Sequence, residues 1–182
     1  MKPRRDERIH LLRVGCGPEP FGVEAKRGTA VKLAFPDLLA PVTLPGSGDP
    51  LQSWRWRTGT DATPWLVTAL GDVFVRAGDG RISFLDTCVG ELTEAAAANT
   101  DWTRALQNPG NLDQWFDPSL VSTLRQRGLT LGPEQCYAPI EPLILGGKME
   151  PENFEVTEWR VHIGLMGRMH QQMRDRPAGT AE

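Results

Sequence analysis

Two neighbouring stretches in which side chains alternate between two faces predict a β-hairpin in the first half of the chain. Alternation runs through residues 70–76 and again through residues 80–87, as expected for strands whose successive side chains point to opposite faces. Between them lie Ala77 to Gly80, with an Asp-Gly pair that suits a tight turn with positive φ. We therefore predict an antiparallel hairpin near residues 66–86.

The remaining apolar pattern predicts an α+β domain around this hairpin. Strands near residues 135–138 and 154–163 are expected to complete a small antiparallel sheet. Helices that pack on it are predicted near residues 93–106, 111–127 and 165–175. In the first helix, a run of four alanines favours helix, with Thr93 as a possible cap. In the second, Asn111 or Asp113 is the expected cap, and Pro118 could divide the helix into two pieces.

The length of 182 residues fits one domain with an additional N-terminal segment. Residues 1–45 are predicted to be poorly ordered or accessory, and residues 46–182 to form the α+β domain. Three cysteines without a CxxC pair argue against a disulfide framework and for a reducing compartment. No apolar run is long enough for a membrane span or a signal-peptide core, so a cytoplasmic location is expected.

Charge is distributed unevenly along the chain, although the net charge is only −3 and gives no indication of direct nucleic-acid binding. Residues 1–32 carry eight basic and four acidic residues, whereas residues 91–158 carry eleven acidic and four basic ones. The acidic region is either a solvated face or a surface that meets a basic partner, such as the substrate groove of a nuclease. The candidate partner-binding residues are Glu91, Glu94, Asp101, Asp113, Asp117, Glu150, Glu152 and Glu155.

Four other residues form a possible functional polar cluster: Asp72, Asp86, His162 and His170. Paired carboxylates can perform acid–base chemistry when their environments separate their pKa values, but aspartates beside turns also commonly bond to local backbone amides. The two histidines lack the spacing of a metal-binding motif. We therefore predict no catalytic residue, metal or cofactor, and keep a small hydrolase that uses these side chains as an alternative.

Several short motifs together resemble a bacterial protein family. They are residues 68–74, residues 84–87 with 90–92, residues 143–147 with Glu152-Asn153, and Val161-His162 with residues 167–172. In their order and spacing they are similar to the C-terminal domain of immunity proteins that pair with type VI secretion DNase effectors. The resemblance extends over roughly residues 50–180. In that family a larger GAD-like module usually precedes this domain, whereas only about fifty unlike residues precede it here.

The resemblance implies a cytoplasmic antitoxin that binds a cognate toxin and blocks its active site or its assembly. It implies no catalytic residues. The leading hypothesis is therefore a non-enzymatic immunity protein whose acidic groups oppose the basic cleft of a nuclease toxin. The alternatives are the small hydrolase and a general ligand-binding or protein-binding module without a toxin partner.

Overall fold

A four-stranded antiparallel sheet lies at the centre of the computed structural model, which describes residues 33–44 and 48–175. Its strands follow one another in chain order and each pairs with the next. They are β1 (Thr63–Val67), β2 (Val73–Arg76), β3 (Ile82–Asp86) and β4 (Glu91–Ala96). The predicted hairpin is β2 and β3, in which Val73 pairs with Leu85 and Arg76 with Ile82.

Five α-helices and a second, two-stranded sheet complete the part of the chain that the structure describes. The helices are α1 (Arg55–Thr58), α2 (Asn99–Leu106), α3 (Pro109–Phe116), α4 (Pro118–Gln126) and α5 (Trp159–Asp175). The second sheet pairs β5 (Gln135–Pro139) with β6 (Phe154–Glu158) in antiparallel register. The predicted α+β class is confirmed. No helix among the described residues has the length and apolar character needed to cross a membrane.

Both faces of the hairpin formed by β2 and β3 are buried, because its side chains alternate between two hydrophobic cores. Phe74 and Phe84 belong to one core, together with residues of α2, α3 and α4 such as Trp102 and Trp115. Alternate positions belong to the other core, which contains residues of α5 and of the segment before α1. This second core includes Val73, Leu85, Trp54, Trp159 and Ile163. The hairpin is therefore the layer between two sets of helices.

The predicted helix over residues 93–106 is wrong in its first part. Residues 91–96 form β4, in which Leu92 pairs with Leu85 and Ala96 with Ile82, and the helix α2 begins only at Asn99. Alanine has a high helix propensity, but pairing with β3 and burial of Ala96 outweigh this local preference. Thr93 consequently lies in a strand and caps no helix.

The predicted strand over residues 154–163 is also too long. β6 ends at Glu158, and the last helix begins at Trp159 rather than near residue 165. In addition, β5 and β6 form their own sheet instead of joining the hairpin, although the Tyr137 amide donates to the Ala69 carbonyl at 2.8 Å. The period-2 pattern over residues 154–158 thus continues by chance into the first turn of a helix.

The second predicted helix is divided at Pro118, as the sequence allowed. Its caps differ from the expected ones: the Asn108 side chain accepts from the Gly110 amide, and the Asp117 side chain accepts from the Leu120 amide at 3.0 Å. Asp117 adopts a left-handed conformation with φ of 35°, which ends α3 and begins α4 within one residue. Each proline follows a capping residue, at the first helical position that tolerates it.

Residues 33–44 run beside the end of β1. The Ala69 amide donates to the Leu38 carbonyl at 2.7 Å, and the Ala40 amide donates to the Val67 carbonyl at 3.1 Å. Leu33 and Leu38 are buried in the core that faces α2 to α4. The rest of the predicted N-terminal segment, residues 1–32 and residue 45, lies outside the described residues, and a domain boundary near residue 45 stays a prediction.

Candidate functional site

A polar cluster lies where the hairpin strands meet the turns that connect them to the rest of the sheet. Asp72 directly precedes β2 and Thr87 directly follows β3, so antiparallel pairing places both at the same end of the sheet. The Asp72 Oδ1 atom accepts two hydrogen bonds from Thr87, one from the backbone amide and one from the hydroxyl, both at 2.8 Å. The Asp72 amide in turn donates to the hydroxyl of Thr68 at 3.1 Å.

Helix α5 adds both predicted histidines to this cluster. His162 Nε2 lies 3.0 Å from the Thr87 hydroxyl oxygen, and His170 Nε2 lies 3.1 Å from the Thr87 carbonyl oxygen. A carbonyl can only accept, so His170 must carry its proton on Nε2. The single hydroxyl proton of Thr87 is directed to Asp72, so His162 also donates from Nε2. Thr87 therefore holds the hairpin and α5 together.

The helix can approach this closely because glycines stand opposite the two imidazoles. Gly71 and Gly90 have φ of +88° and +75°, values that other residues rarely adopt. A Cβ atom on Gly71 would lie 2.6 Å from His162 Cδ2, and one on Gly90 would lie 2.5 Å from His170 Nδ1. Both glycines therefore allow α5 to pack closely against this end of the sheet.

Burial determines the protonation of the cluster. Asp72 and His162 are 7% and 4% exposed, and Thr87 has no exposed surface. Burial, with a smaller contribution from the Asp86 carboxylate, raises the pKa of Asp72 to about 8 against the effect of its bonds from Thr87. Burial lowers the pKa of His162 to about 4. The pair consequently favours its neutral forms near neutral pH, which agrees with a hydrogen-bonded cluster inside the protein.

Asp86 lies at the edge of this cluster and has a local role. Its Oδ1 atom accepts from the amides of Cys88 and Val89 at 2.9 Å and 3.0 Å, which closes the turn between β3 and β4. Burial is the main cause of the raised pKa of Asp86, and the neighbouring Glu91 adds to it, against the effect of those two amides. The turn chemistry expected for an aspartate at this position is therefore present.

One group of side chains near this turn has the geometry to hold a cation. Ligand atoms of Asp72, Asp86 and Cys88 all lie within 4.8 Å of one another. Burial, however, raises the pKa of the Cys88 thiol above its usual range, and the Asp72 pKa is raised as well. A cation would therefore have to displace the protons of the thiol and the carboxyl, because metal ligands bind in their deprotonated forms.

The structure thus brings together the four residues of the predicted polar cluster, although sequence reasoning placed His162 on a strand. It also adds Thr87, which the sequence analysis missed as a participant. A signal was available, because Thr87 ends the motif at residues 84–87. The hydrogen bonds orient these buried side chains, and burial favours the neutral forms of Asp72 and His162.

The eight acidic candidates are spread over several elements and do not form one cluster. Glu91 and Glu94 lie on β4, Asp101 on α2, Asp113 on α3, Asp117 at the cap of α4, and Glu150, Glu152 and Glu155 at or near β6. Three of them have basic neighbours: Asp101 with Arg104 at 3.7 Å, Glu150 with Lys148 at 3.9 Å, and Glu152 with Arg127 at 2.9 Å. Their role in partner binding stays a prediction.

Comparison with known proteins relates part of this fold to bacterial immunity proteins. Residues 96–170 match the family model described as the C-terminal domain of the T6SS immunity protein Tdi1. The predicted resemblance is confirmed over these residues, and it supports an immunity role. The matched range contains β5, β6, most of α5 and both histidines, whereas the motifs before residue 96 lie outside it.

A solved structure is also similar to the chain. It is the crystal structure of Atu4351 from Agrobacterium tumefaciens, with 15% sequence identity and a TM-score of 0.46. The match covers 64% of this chain and 61% of that one, so the chain spans less than two thirds of that protein's length. No curated protein matches the sequence.

Proposed function

We propose that this protein is a non-enzymatic immunity protein that binds and neutralises a cognate secreted toxin, a nuclease. The observation that carries the proposal is the match of residues 96–170 to the T6SS immunity family. An immunity protein acts by occupying a surface of its toxin. The relevant properties are therefore the shape and charge of its own surface.

The excess of exposed acidic residues supports a nuclease as the target. A nuclease groove must attract phosphate groups and is expected to be basic. Residues 91–158 carry eleven acidic and four basic residues, and six of the eight acidic candidates are exposed. Opposite potentials accelerate the encounter of two proteins, while apolar contacts at the centre of the interface slow dissociation. Such a protein would compete with nucleic acid for the toxin and would need no chemistry of its own.

The buried polar cluster weighs against a hydrolase. That alternative required Asp72, Asp86 and a histidine to converge in a concave site open to substrate. The side chains do converge, but Asp72 and His162 bond to Thr87 inside the protein. Asp86 bonds to the amides of its own turn, and His170 bonds to a backbone carbonyl. We therefore assign the cluster a structural role. A cytoplasmic location is part of the same proposal, because a DNase toxin would act on DNA there.

Co-expression with the product of the adjacent gene tests the proposal. Cells that express this product alone should lose viability and chromosomal integrity, and the full chain should restore both and co-purify with it. An unrelated nuclease toxin, which the chain should neither bind nor inhibit, serves as the control. A neighbouring product that is neither toxic nor bound would contradict the proposal.

A further inference from the structure

The loop between β5 and β6 exposes three large apolar side chains within ten residues. Ile140 and Leu145 are each 58% exposed, and Met149 is 47% exposed. Single exposed apolar residues are common on protein surfaces, but a group of them in one connecting loop marks a candidate interaction site. We call residues 140–153 the β5–β6 loop.

The side chain of Asn153 fixes this loop in one shape. Its Oδ1 atom accepts from the Glu141 amide, and its Nδ2 atom donates to the carbonyls of Glu141 and Lys148, all at 2.9 Å. The Ile140 amide also donates to the Asn153 carbonyl at 2.7 Å. The two ends of the loop and its middle are thus joined through one residue.

Close backbone packing adds to this fixation. A Cβ atom on Gly147 would lie 1.9 Å from the Glu141 carbonyl oxygen, so a side chain at this position is incompatible with the observed loop. Ile144 packs against the core on the α5 side of the central sheet, while its neighbour Leu145 points outward. A loop that is already ordered loses little conformational entropy on binding, which makes its exposed side chains effective anchors.

Exposed acidic residues lie in the same stretch of chain as these apolar side chains. Residues 140–155 contain four acidic residues and one basic residue, Lys148, and Arg127 beside the end of α4 pairs with Glu152. Glu141, Glu150, Glu152 and Glu155 are all exposed. An apolar centre with a charged rim is the usual composition of a protein–protein interface. Because opposite charges attract across an interface, we expect basic residues at the corresponding positions of the partner.

We propose that the β5–β6 loop is the surface on which the toxin docks, with Leu145 as the central anchor. The occupant is a protein surface with an apolar pocket bordered by Lys and Arg residues. This inference rests on the proposed immunity function and names its binding surface. A second copy of the chain is a poor occupant, because two acidic rims would face one another.

A second exposed apolar pair provides a comparison. Val161 and Leu165 lie one turn apart on the outer side of α5 and are 55% and 45% exposed. The exposed residues next to this pair along the chain are Glu158 before it and Arg168 after it, so the pair lacks the acidic excess of the loop. A basic toxin surface is therefore expected to favour the loop over α5. Leu165→Ala is accordingly a matched control for Leu145→Ala.

The test measures binding of the full chain to the purified product of the adjacent gene, inactivated at its nuclease site, by isothermal titration calorimetry. Leu145→Ala should weaken binding by about 30-fold, as expected for an interface anchor, and Leu145→Ala/Met149→Ala should weaken it further. Leu165→Ala should change binding by less than about threefold, as expected for a residue outside the interface. Urea unfolding of each variant verifies that the fold is retained.

Failure of the inference and failure of the proposed function give different results. If the wild-type chain does not bind this product, the proposed function fails and the docking surface fails with it. If the wild-type chain binds and Leu145→Ala binds equally tightly, only the inference is overturned. Equal weakening by Leu165→Ala also overturns it. Dimerisation of the wild-type chain that Leu145→Ala abolishes without affecting toxin binding would assign the loop to self-association and likewise overturn the inference.

Discussion

Gly90 and His170 come so close that a Cβ atom on Gly90 would lie 2.5 Å from Nδ1 of the imidazole. His170 in turn donates from Nε2 to the Thr87 carbonyl, three residues before Gly90. The turn between β3 and β4 therefore surrounds the imidazole on two sides. Because α5 carries this histidine, the contact fixes how the last helix sits on the sheet.

The first prediction concerns this contact. Gly90→Ala should lower the free energy of unfolding by about 3 kcal/mol, because it combines an unfavourable positive φ with overpacking against His170. Urea denaturation monitored by circular dichroism measures the change. Gly71→Ala should behave in the same way, since its Cβ atom would lie 2.6 Å from the His162 ring.

Gly80→Ala separates the two causes. Gly80 has φ of +89°, but a Cβ atom there would meet nothing within 4 Å. The free energy of unfolding of this variant should fall only by the cost of the positive φ, about 1 kcal/mol. Equal losses for Gly80→Ala and Gly90→Ala would show that the contact with His170 contributes nothing beyond the backbone conformation.

The second prediction concerns the hydroxyl group of Thr87. Thr87→Val keeps the shape of the side chain but leaves His162 Nε2 without an acceptor and removes one of the two bonds to Asp72. An unsatisfied buried polar group costs about 1 to 3 kcal/mol, so unfolding should require about 2 kcal/mol less. Thermal and urea unfolding of the variant measure this loss.

Thr123→Val is the matched control, because this hydroxyl donates to the Ser119 carbonyl on a partly exposed face of α4. It should change stability by less than about 0.5 kcal/mol. If Thr87→Val were as stable as the wild type, the hydrogen bonds from His162 and to Asp72 would not stabilise the packing of α5.

The hairpin was predictable because its strands follow the simple period of two and its turn has a specific chemistry. The alternation of Phe74 with Val73 and Val75 even corresponds to the two separate cores. The alanine run was mispredicted because β4 is stabilised by its pairing with β3, a contact distant in sequence. Local propensity could not reveal this pairing.

The polar cluster was predictable in its membership but not in its role. Asp72 and Asp86 border the predicted hairpin as a possible carboxylate pair, and His162 and His170 are histidines eight residues apart. Their burial, and the position of Thr87 between them, depend on the docking of α5 on the end of the sheet. The exposure of the β5–β6 loop could not be predicted from the sequence either. Leu145 and Ile144 have similar side chains, but Leu145 is exposed and Ile144 packs against the core.

The third prediction is a fall of stability with rising pH above about 6.5. The Asp72 pKa is about 8 in the folded protein and about 3.9 in the unfolded chain, so the native state binds more protons between these values and loses stability as pH rises. The His162 pKa is about 4 when folded and about 6.5 when unfolded, so this group loses stability as pH falls over that range. The two slopes oppose each other below pH about 6.5, and Asp72 dominates above it.

Comparison of the wild type with Asp72→Asn tests this directly. The variant keeps an oxygen acceptor for Thr87 but cannot ionise. Its stability relative to the wild type should therefore increase between pH 6.5 and 8, by at most about 1.4 kcal/mol per pH unit. Asp79→Asn, at the exposed tip of the hairpin, should give a profile parallel to the wild type over that range. A parallel profile for Asp72→Asn would mean that Asp72 is already ionised in the folded protein.

The fourth prediction concerns the acidic rim of the β5–β6 loop. Glu150→Lys/Glu152→Lys should slow association with the nuclease-inactivated product of the adjacent gene by about tenfold at low ionic strength, because it weakens the attraction that guides the encounter. The difference should shrink as salt is raised, since exposed charges are screened beyond about 10 Å at 0.1 M salt. Stopped-flow kinetics across a salt series measures both effects.

Asp61→Lys/Asp79→Lys changes the net charge by the same amount at exposed positions near the tip of the hairpin. If the rim of the β5–β6 loop faces the toxin, this control should slow association much less than the loop variant. The reason is that steering depends on charges near the docking surface as well as on net charge. Equal slowing by both variants would show that the attraction depends on the net charge of the whole molecule. It would contradict the prediction that the charges of the β5–β6 loop orient the partner.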